Sequence, residues 1–178
     1  MKIRLDVKTS KKLNKQIIET LNKIESLTRH IRNVQENCLL LGKKLILLGE
    51  IKLGQQLIAN GFVHDASKFN GIEWQQLTGR NDDDESSKLK LKIAINHHNS
   101  TNLHHIEYWH DIRKMPKQYL AEFVCDIKAR SEEFGTDLRS WIDDIATKKY
   151  DFDKNEPVYR EIMDFVDLLC EKPFSNLS

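Results

Sequence analysis

Two groups of residues in this chain have the types and spacing needed to bind metal ions. In the first, His64 and Asp65 supply two potential ligands, and Lys68, three residues on, is a cation suited to a phosphate group. The second is a set of five histidines between residues 97 and 110: His97, His98, His104, His105 and His110. Imidazole and carboxylate are common ligands of divalent cations. The pattern predicts a divalent-metal-dependent hydrolase that acts on a phosphorus ester.

Two more candidate ligands lie in apolar helical segments. His30 begins a run at helical spacing that continues through Val34, Cys38, Leu41 and Leu45. This stripe indicates that His30 points towards a protein core. Asp126 lies within the apolar run 124–127. A buried lone carboxylate is costly, so Asp126 is either a metal ligand or needs another polar partner.

Low glycine and proline content predicts an all-α fold that positions these residues. The chain has 7 glycines and 3 prolines in 178 residues. A first helix is predicted from about Ser10 to Leu27, with an apolar stripe for packing or dimerisation. A second is predicted from an N-cap at Thr28 towards Leu48, and a third ends at Gly61. The stripe of the first helix comprises Leu13, Ile17, Leu21 and Ile24.

The remaining segments also read as helices. A short helical turn is predicted at residues 64–71 and a helix at residues 72–78. Ser87 is predicted to cap a helix that ends near Asn96, followed by a loop at residues 99–102. Pro116 and Gly135 bracket a helix that ends at Phe134, and two helices follow at 136–149 and 155–170.

Composition excludes several classes of protein. The formal net charge of +1 argues against a dedicated duplex nucleic-acid binder, which is usually strongly basic. The three cysteines form no closely spaced pair that would indicate a disulfide framework or a cysteine zinc site. Because no long apolar run or signal-peptide core is present, we expect a cytoplasmic protein without a membrane span.

The ordered ligands resemble those of the HD superfamily of metal-dependent phosphohydrolases. His30, then His64-Asp65, then Asp126 follow the order typical of that superfamily. The additional histidines resemble its two-metal branch, and Lys68 matches the HDxxK form. The strings HDASKF at 64–69 and HNSTNLHHIEYW at 98–109 are similar to a bacterial and phage family related to HD proteins. No Gly-Tyr-Pro triplet follows the histidines, so the resemblance does not imply cyclic-di-GMP as the substrate.

The resemblance implies a role for each residue at the site. A first ion would be held by His30, His64, Asp65 and Asp126, and a second by Asp65, His98, His104 and His105. Two such ions can clamp a phosphoryl group and activate water. Lys68 would then balance charge on the phosphoryl oxygens. Glu107 would orient a ligand imidazole, and Arg130 and Asn102 are weaker candidates for substrate contacts.

The resemblance also implies an architecture and a substrate class. A single HD-like bundle is expected at residues 28–135, with helical extensions at 1–27 and 136–178. The expected substrate is a small phosphorylated molecule, foremost a nucleotide or nucleotide-derived signal. Mn²⁺ or Fe²⁺ suits a histidine-rich site best, with Zn²⁺, Ni²⁺ and Mg²⁺ as other choices. A homodimer is compatible with the stripe of the first helix.

Two other functions are compatible with the same residues. Some HD-like proteins are mixed-valent di-iron oxygenases with a very similar ligand set, although Lys68 favours hydrolysis. A non-catalytic binding protein that uses metal only for stability is the second alternative. It predicts that His64 and Asp65 serve stability alone.

Overall fold

A computed structural model describes residues 7–78 and 84–171, and within those residues the fold is all-α with no strand. This confirms the fold class predicted from the sequence. The helices, in chain order, are α1 (Val7–Leu47), α2 (Ile51–Val63), α3 (Gly71–Thr78), α4 (Glu85–Thr101), α5 (Ile106–Trp109), α6 (Lys117–Phe134), α7 (Leu138–Trp141), α8 (Thr147–Lys149) and α9 (Pro157–Cys170). Single 3₁₀ turns lie at Ala66–Phe69 and Ile112–Lys114, and a π-helical turn at Ile142–Ala146 joins α7 to α8.

The chain divides into two compact units. The first unit contains the described residues up to Arg29 together with Asp65–His98. The second contains His30–His64 and the described residues from Asn99 onwards. The hydrophobic core cluster lies in the second unit, where α6 packs against α2 and α9. The stripe that begins at His30 is buried, as predicted, because its members Val34, Cys38, Leu41 and Leu45 all join that core.

The break predicted between the first two helices at Thr28 is wrong, because α1 is continuous over 41 residues. The hydroxyl of Thr28 donates to the carbonyl oxygens of Ile24 and Glu25, at 2.9 and 3.1 Å. It therefore binds the preceding turn of its own helix and does not cap a new one. In the stripe predicted for packing or dimerisation, the side chains of Leu13, Ile17 and Leu21 are exposed.

Glycines allow α1 and α2 to approach closely within the second unit. A Cβ at Gly61 would lie 2.6 Å from Cβ of Cys38, and one at Gly54 would collide with the carbonyl oxygen of Gly42. Gly61 was predicted to end the helix, but α2 continues to Val63. The glycine is needed for tertiary packing, and this close approach brings α2, which ends just before His64, against α1.

The predicted bounds of α4 were also wrong at both ends. The helix runs from Glu85 to Thr101, so His97 and His98 lie on it and the predicted loop at 99–102 is largely helical. Asp84 makes the cap, since its Oδ1 accepts from the backbone N–H of Ser87 at 3.0 Å. Ser87 therefore donates to the cap and does not supply it.

The prediction for α6 is confirmed at both ends. The helix begins directly after Pro116 and ends before Gly135, which has a φ of 64° and donates its N–H to the Ser131 carbonyl. Glycine adopts this left-handed conformation without steric cost, which explains the sharp stop.

Among the described residues, none of the helices combines the length and apolarity needed to cross a bilayer.

Candidate metal centre

Three predicted ligands from different parts of the second unit converge in space. His30 lies on α1, His64 follows the last residue of α2, and Asp126 lies on α6. One potential ligand atom from each lies within 4.8 Å of those of the other two. The side chains of His30 and His64 are 1% and 0% exposed, and that of Asp126 is 14% exposed. The sequence prediction that these three residues share a site is consistent with this geometry.

The contact between His30 and Asp126 has the distance expected of two ligands that face one ion. Nε2 of His30 lies 3.0 Å from Oδ1 of Asp126, but within the described part of the chain this nitrogen makes no hydrogen bond. Two atoms that bind an octahedral ion at right angles, each about 2.1 Å from it, are about 3.0 Å apart. The donor set, imidazole with carboxylate, suits Mn²⁺, Fe²⁺ or Zn²⁺. The residues present therefore fit a divalent cation.

A glutamate holds the other ring nitrogen of His30. Nδ1 of His30 lies 3.0 Å from Oε1 of Glu133, a carboxylate on α6. Nη1 of Arg130 donates to the second oxygen of Glu133 at 3.2 Å, and the amide of Asn33 approaches Oε1 at 3.4 Å. Contacts of this kind fix the ring of a metal-binding histidine. Here the contact with Glu133 turns Nε2 towards Asp126.

A second glutamate on α6 contacts two histidines. Oε1 of Glu122 lies 2.9 Å from Nδ1 of His64 and 3.3 Å from Nδ1 of His104. Burial on its own raises the pKa of the Glu122 carboxyl, but the hydrogen bonds that it accepts from His104 and His64 outweigh it. The pKa falls from the usual 4.5 to about 2. Glu122 is therefore a carboxylate near neutral pH, even though its side chain is buried.

One face of α6 thus carries three acidic residues of this site. Glu122, Asp126 and Glu133 are separated by four and seven residues, spacings that place them on one side of a helix. The sequence reasoning selected Asp126 and missed the two glutamates. The available signal was the shared spacing on a helix that otherwise contains an apolar run at 124–127.

The first unit contains a buried cluster around Asp65. This residue has a left-handed backbone, with a φ of 56°, and its side chain makes no helix-capping hydrogen bond. Its carboxylate forms a buried ion pair with Lys68, and Oδ1 lies 3.1 Å from Nε2 of His98. Lys68, predicted to contact a phosphoryl group, neutralises Asp65 in this structure. Backbone conformations of this kind in non-glycine residues concentrate at functional sites.

Glu73 organises the histidines of this cluster. It is 1% exposed and its two carboxylate oxygens accept from Nδ1 of His97 at 2.7 Å and Nδ1 of His98 at 2.9 Å. The hydroxyl of Ser67 donates to the same carboxylate at 2.9 Å. Nothing in the local sequence distinguishes Glu73 from a surface residue of α3. Its histidine partners lie 24 and 25 residues away, so only the tertiary structure reveals its role.

A model of a known protein family matches most of the chain. The match runs over residues 19–171 and is described as a family of unknown function, DUF5662. The chain belongs to the DUF5662 family. No curated protein and no solved structure matches it. The DUF5662 match includes every residue of both buried clusters.

The remaining site predictions on this DUF5662 chain concern four residues of the second unit. The His105 ring packs on that of His104, with centroids 4.4 Å apart. Oε2 of Glu107 lies 3.9 Å from Nδ1 of His105, beyond hydrogen-bond distance. The backbone carbonyl oxygen of Asn102 accepts a hydrogen bond from the backbone N–H of His105, and the guanidinium of Arg130 binds Glu133. The predicted roles of Glu107, Asn102 and Arg130 towards ligand or substrate stay predictions.

Proposed function

We propose that this protein is a divalent-metal-dependent phosphohydrolase. The observation that carries the proposal is the buried set of His30, His64 and Asp126, in which Nε2 of His30 lies 3.0 Å from Oδ1 of Asp126. Three protein ligands leave coordination positions for water and substrate, which is typical of catalytic sites. The resemblance of this ordered ligand set to the HD superfamily supports phosphoester hydrolysis as the reaction.

The proposal assigns distinct tasks to the residues of the second unit. His30, His64 and Asp126 would hold the ion, and Glu133 and Glu122 hold the two imidazoles through Nδ1. A divalent ion bound there supplies Lewis acidity towards a phosphoryl oxygen and lowers the pKa of a water that it binds. Burial of the ligands excludes bulk water from their side of the site, so electrostatic interactions there are stronger than in water.

The two-ion form of the site stays a prediction from the sequence. It requires Asp65, His98, His104 and His105 to bind a second ion, and it assigns the contact with the phosphoryl group to Lys68. The substrate class, a nucleotide or nucleotide-derived signal, is likewise proposed on the resemblance alone. Mn²⁺ and Fe²⁺ are the proposed ions, since imidazole-rich sites favour them over Mg²⁺.

The test begins with metal content. Protein purified without chelator is analysed for Mn, Fe, Zn and Ni, together with the variants Asp126→Asn and Asp65→Asn. We expect about one equivalent or more in the parent and a loss in Asp126→Asn. Two equivalents that fall to one or none in Asp65→Asn would support the second ion. No bound metal in the parent, even after metal is added back, would overturn the proposal.

The second part of the test is activity. The metal-loaded protein is assayed with p-nitrophenyl phosphate, bis-p-nitrophenyl phosphate and a panel of nucleotides, and Asp126→Asn is the negative control. Hydrolysis that requires Asp126 supports the proposal. Bound metal without hydrolysis of any phosphoester in the panel would leave a metal-stabilised binding protein as the better description.

One observation favours a second candidate, an iron-dependent oxygenase. Two histidines and one carboxylate form the ligand set of many non-haem Fe(II) oxygenases, and His30, His64 and Asp126 have that composition. Oxygen consumption by the Fe²⁺-loaded protein, measured with an oxygen electrode, would support this candidate if it is abolished in Asp126→Asn. Phosphoester hydrolysis by the Mn²⁺-loaded protein under anaerobic conditions would instead favour the hydrolase over the oxygenase.

A further inference from the structure

One oxygen atom of Glu122 connects two histidines of the second unit. Oε1 contacts Nδ1 of His64 at 2.9 Å and Nδ1 of His104 at 3.3 Å. The two imidazole rings lie side by side, with centroids 4.3 Å apart and an angle of 41° between their planes. His64, His104 and Glu122 are all buried, since 3%, 3% and 4% of the surface of each whole residue, backbone included, is exposed. Since both rings use the same nitrogen towards the same oxygen, this arrangement determines where their protons lie.

The chemistry of the two groups fixes the tautomer. An ionised carboxylate can only accept hydrogen bonds, so each Nδ1 that faces Oε1 must carry the proton. In a neutral imidazole the other nitrogen, Nε2, then has the lone pair that a metal ion requires. A carboxylate behind a ligand histidine has this effect in many metal sites. The unusual feature here is that one carboxylate oxygen acts on two rings.

We propose that Glu122 is a positioning residue that holds both His64 and His104 as Nδ1–H tautomers and so makes Nε2 the metal-binding nitrogen of each. The part of this inference that concerns metal binding rests on the proposed function. It adds His104 to the residues whose orientation depends on α6, although His104 lies in the turn before α5. Removal of the one carboxylate is therefore expected to disturb two imidazoles together.

The direct test is the tautomer of each histidine in the metal-free full-length chain. Long-range ¹H–¹⁵N correlation spectra distinguish Nδ1–H from Nε2–H imidazoles. We expect Nδ1–H for both His64 and His104 in the parent. In Glu122→Gln, at least one of them should change to Nε2–H, because the amide presents a donor as well as an acceptor. An Nε2–H tautomer of His64 in the parent would overturn the proposal without any variant.

The matched control lies on the same helix. Glu132 is 49% exposed and pairs with Lys128, so Glu132→Gln makes the same chemical change away from the histidines. We expect this variant to keep the parent tautomers at both His64 and His104. Identical spectra for Glu122→Gln and the parent would overturn the positioning role, and so would equal spectral changes in the two variants.

A second readout is the affinity for Mn²⁺, measured by competition with a chelator. Loss of an outer carboxylate typically weakens metal binding by about 10–100-fold, which we expect for Glu122→Gln but not for Glu132→Gln. An unchanged Kd in Glu122→Gln would overturn the inference. If the parent binds no metal, the proposed function fails, and the tautomer spectra still decide the role of Glu122. The two failures are therefore distinguishable.

Discussion

The buried cluster around Glu122 and an exposed cluster around Arg113 are built from similar contacts. In the exposed cluster the guanidinium of Arg113 binds both oxygens of Glu156, at 2.6 and 2.7 Å, and Asp111 at 3.2 Å. The contact between Glu122 and His64 is no shorter, at 2.9 Å. The difference is solvent, since the side chain of Arg113 is 44% exposed whereas those of Glu122 and His64 are 6% and 0% exposed.

This difference determines what each cluster indicates about function. Water screens the pair of Arg113 with Glu156, even though its hydrogen bonds raise the pKa of Arg113 and lower that of Glu156. Solvated pairs of this kind are common and carry little energy. A buried group of imidazoles and carboxylates loses its hydration on folding, and that loss is tolerated when the groups bind each other or a cation. Burial, and not the length of the contacts, is therefore what indicates a site.

The largest expected effect concerns a buried ion pair, that of Lys68 with Asp65. We expect Lys68→Met to lower the free energy of unfolding of the metal-free protein by about 3–5 kcal/mol, because it removes the buried cation that pairs with the Asp65 carboxylate. Urea denaturation measures this loss. Lys88→Met, which breaks an exposed pair with Glu85, is the control and should have little effect. Equal losses in both variants would remove the distinction between buried and exposed pairs.

The next effect is stabilisation by metal. Mn²⁺ at about 100 times its Kd should stabilise the folded protein by about 2.7 kcal/mol. For a chain of this size that corresponds to a rise in Tm of roughly 5–11 °C. Asp126→Asn should lose most of the rise, and a chelator should reverse it in the parent. A rise of the same size in Asp126→Asn would place the ion elsewhere.

A smaller effect is expected from the packing that supports the buried cluster. Gly54→Ala should destabilise the protein by about 1–3 kcal/mol, because its Cβ would meet the Gly42 carbonyl. Weaker Mn²⁺ binding should accompany this change, since α1 and α2 position His30 and His64. Gln55→Ala, at an exposed position of the same helix, is the control. Unchanged Mn²⁺ affinity in a destabilised Gly54→Ala would show that the site tolerates movement of α2.

The smallest effect is expected in the exposed cluster. Arg113→Ala should leave Tm close to that of the parent and should not change the Kd for Mn²⁺, because water replaces the lost hydrogen bonds. Differential scanning calorimetry and chelator competition measure the two quantities. A decrease in Tm as large as that of Lys68→Met would mean that exposure is a poor guide to the importance of charged clusters in this protein.

The sequence predicted the helical class and the ligands that lie on strongly patterned helices. His30 could be assigned to the core because its stripe repeats at helical spacing over a full 16 residues. Asp126 was identifiable from its apolar neighbours. Glu122 and Glu133 were not predicted as site residues because their role depends on which face of α6 is buried. Glu73 could not be identified, since its partners come from another element.

Helix ends were harder to predict for a different reason. Thr28, Gly61 and Ser87 all have local preferences for caps or breaks, yet none of them ends or caps a helix in the structure. In each case another contact decides the outcome, as when Cys38 packs against Gly61. Gly135 was predictable because a left-handed backbone at that position depends on the residue itself.

The buried lysine of α1 determines how far this chain tolerates deletion at its carboxyl end. Nζ of Lys44 donates to the carbonyl oxygens of Leu168 and Glu171, at 2.6 and 3.0 Å, just where α9 ends. A chain cut after Glu171 keeps both acceptors, whereas one cut after Asp167 loses both and removes two hydrogen bonds from the buried ammonium. Proteolysis in that last turn of α9 would therefore also weaken the contact between α9 and α1.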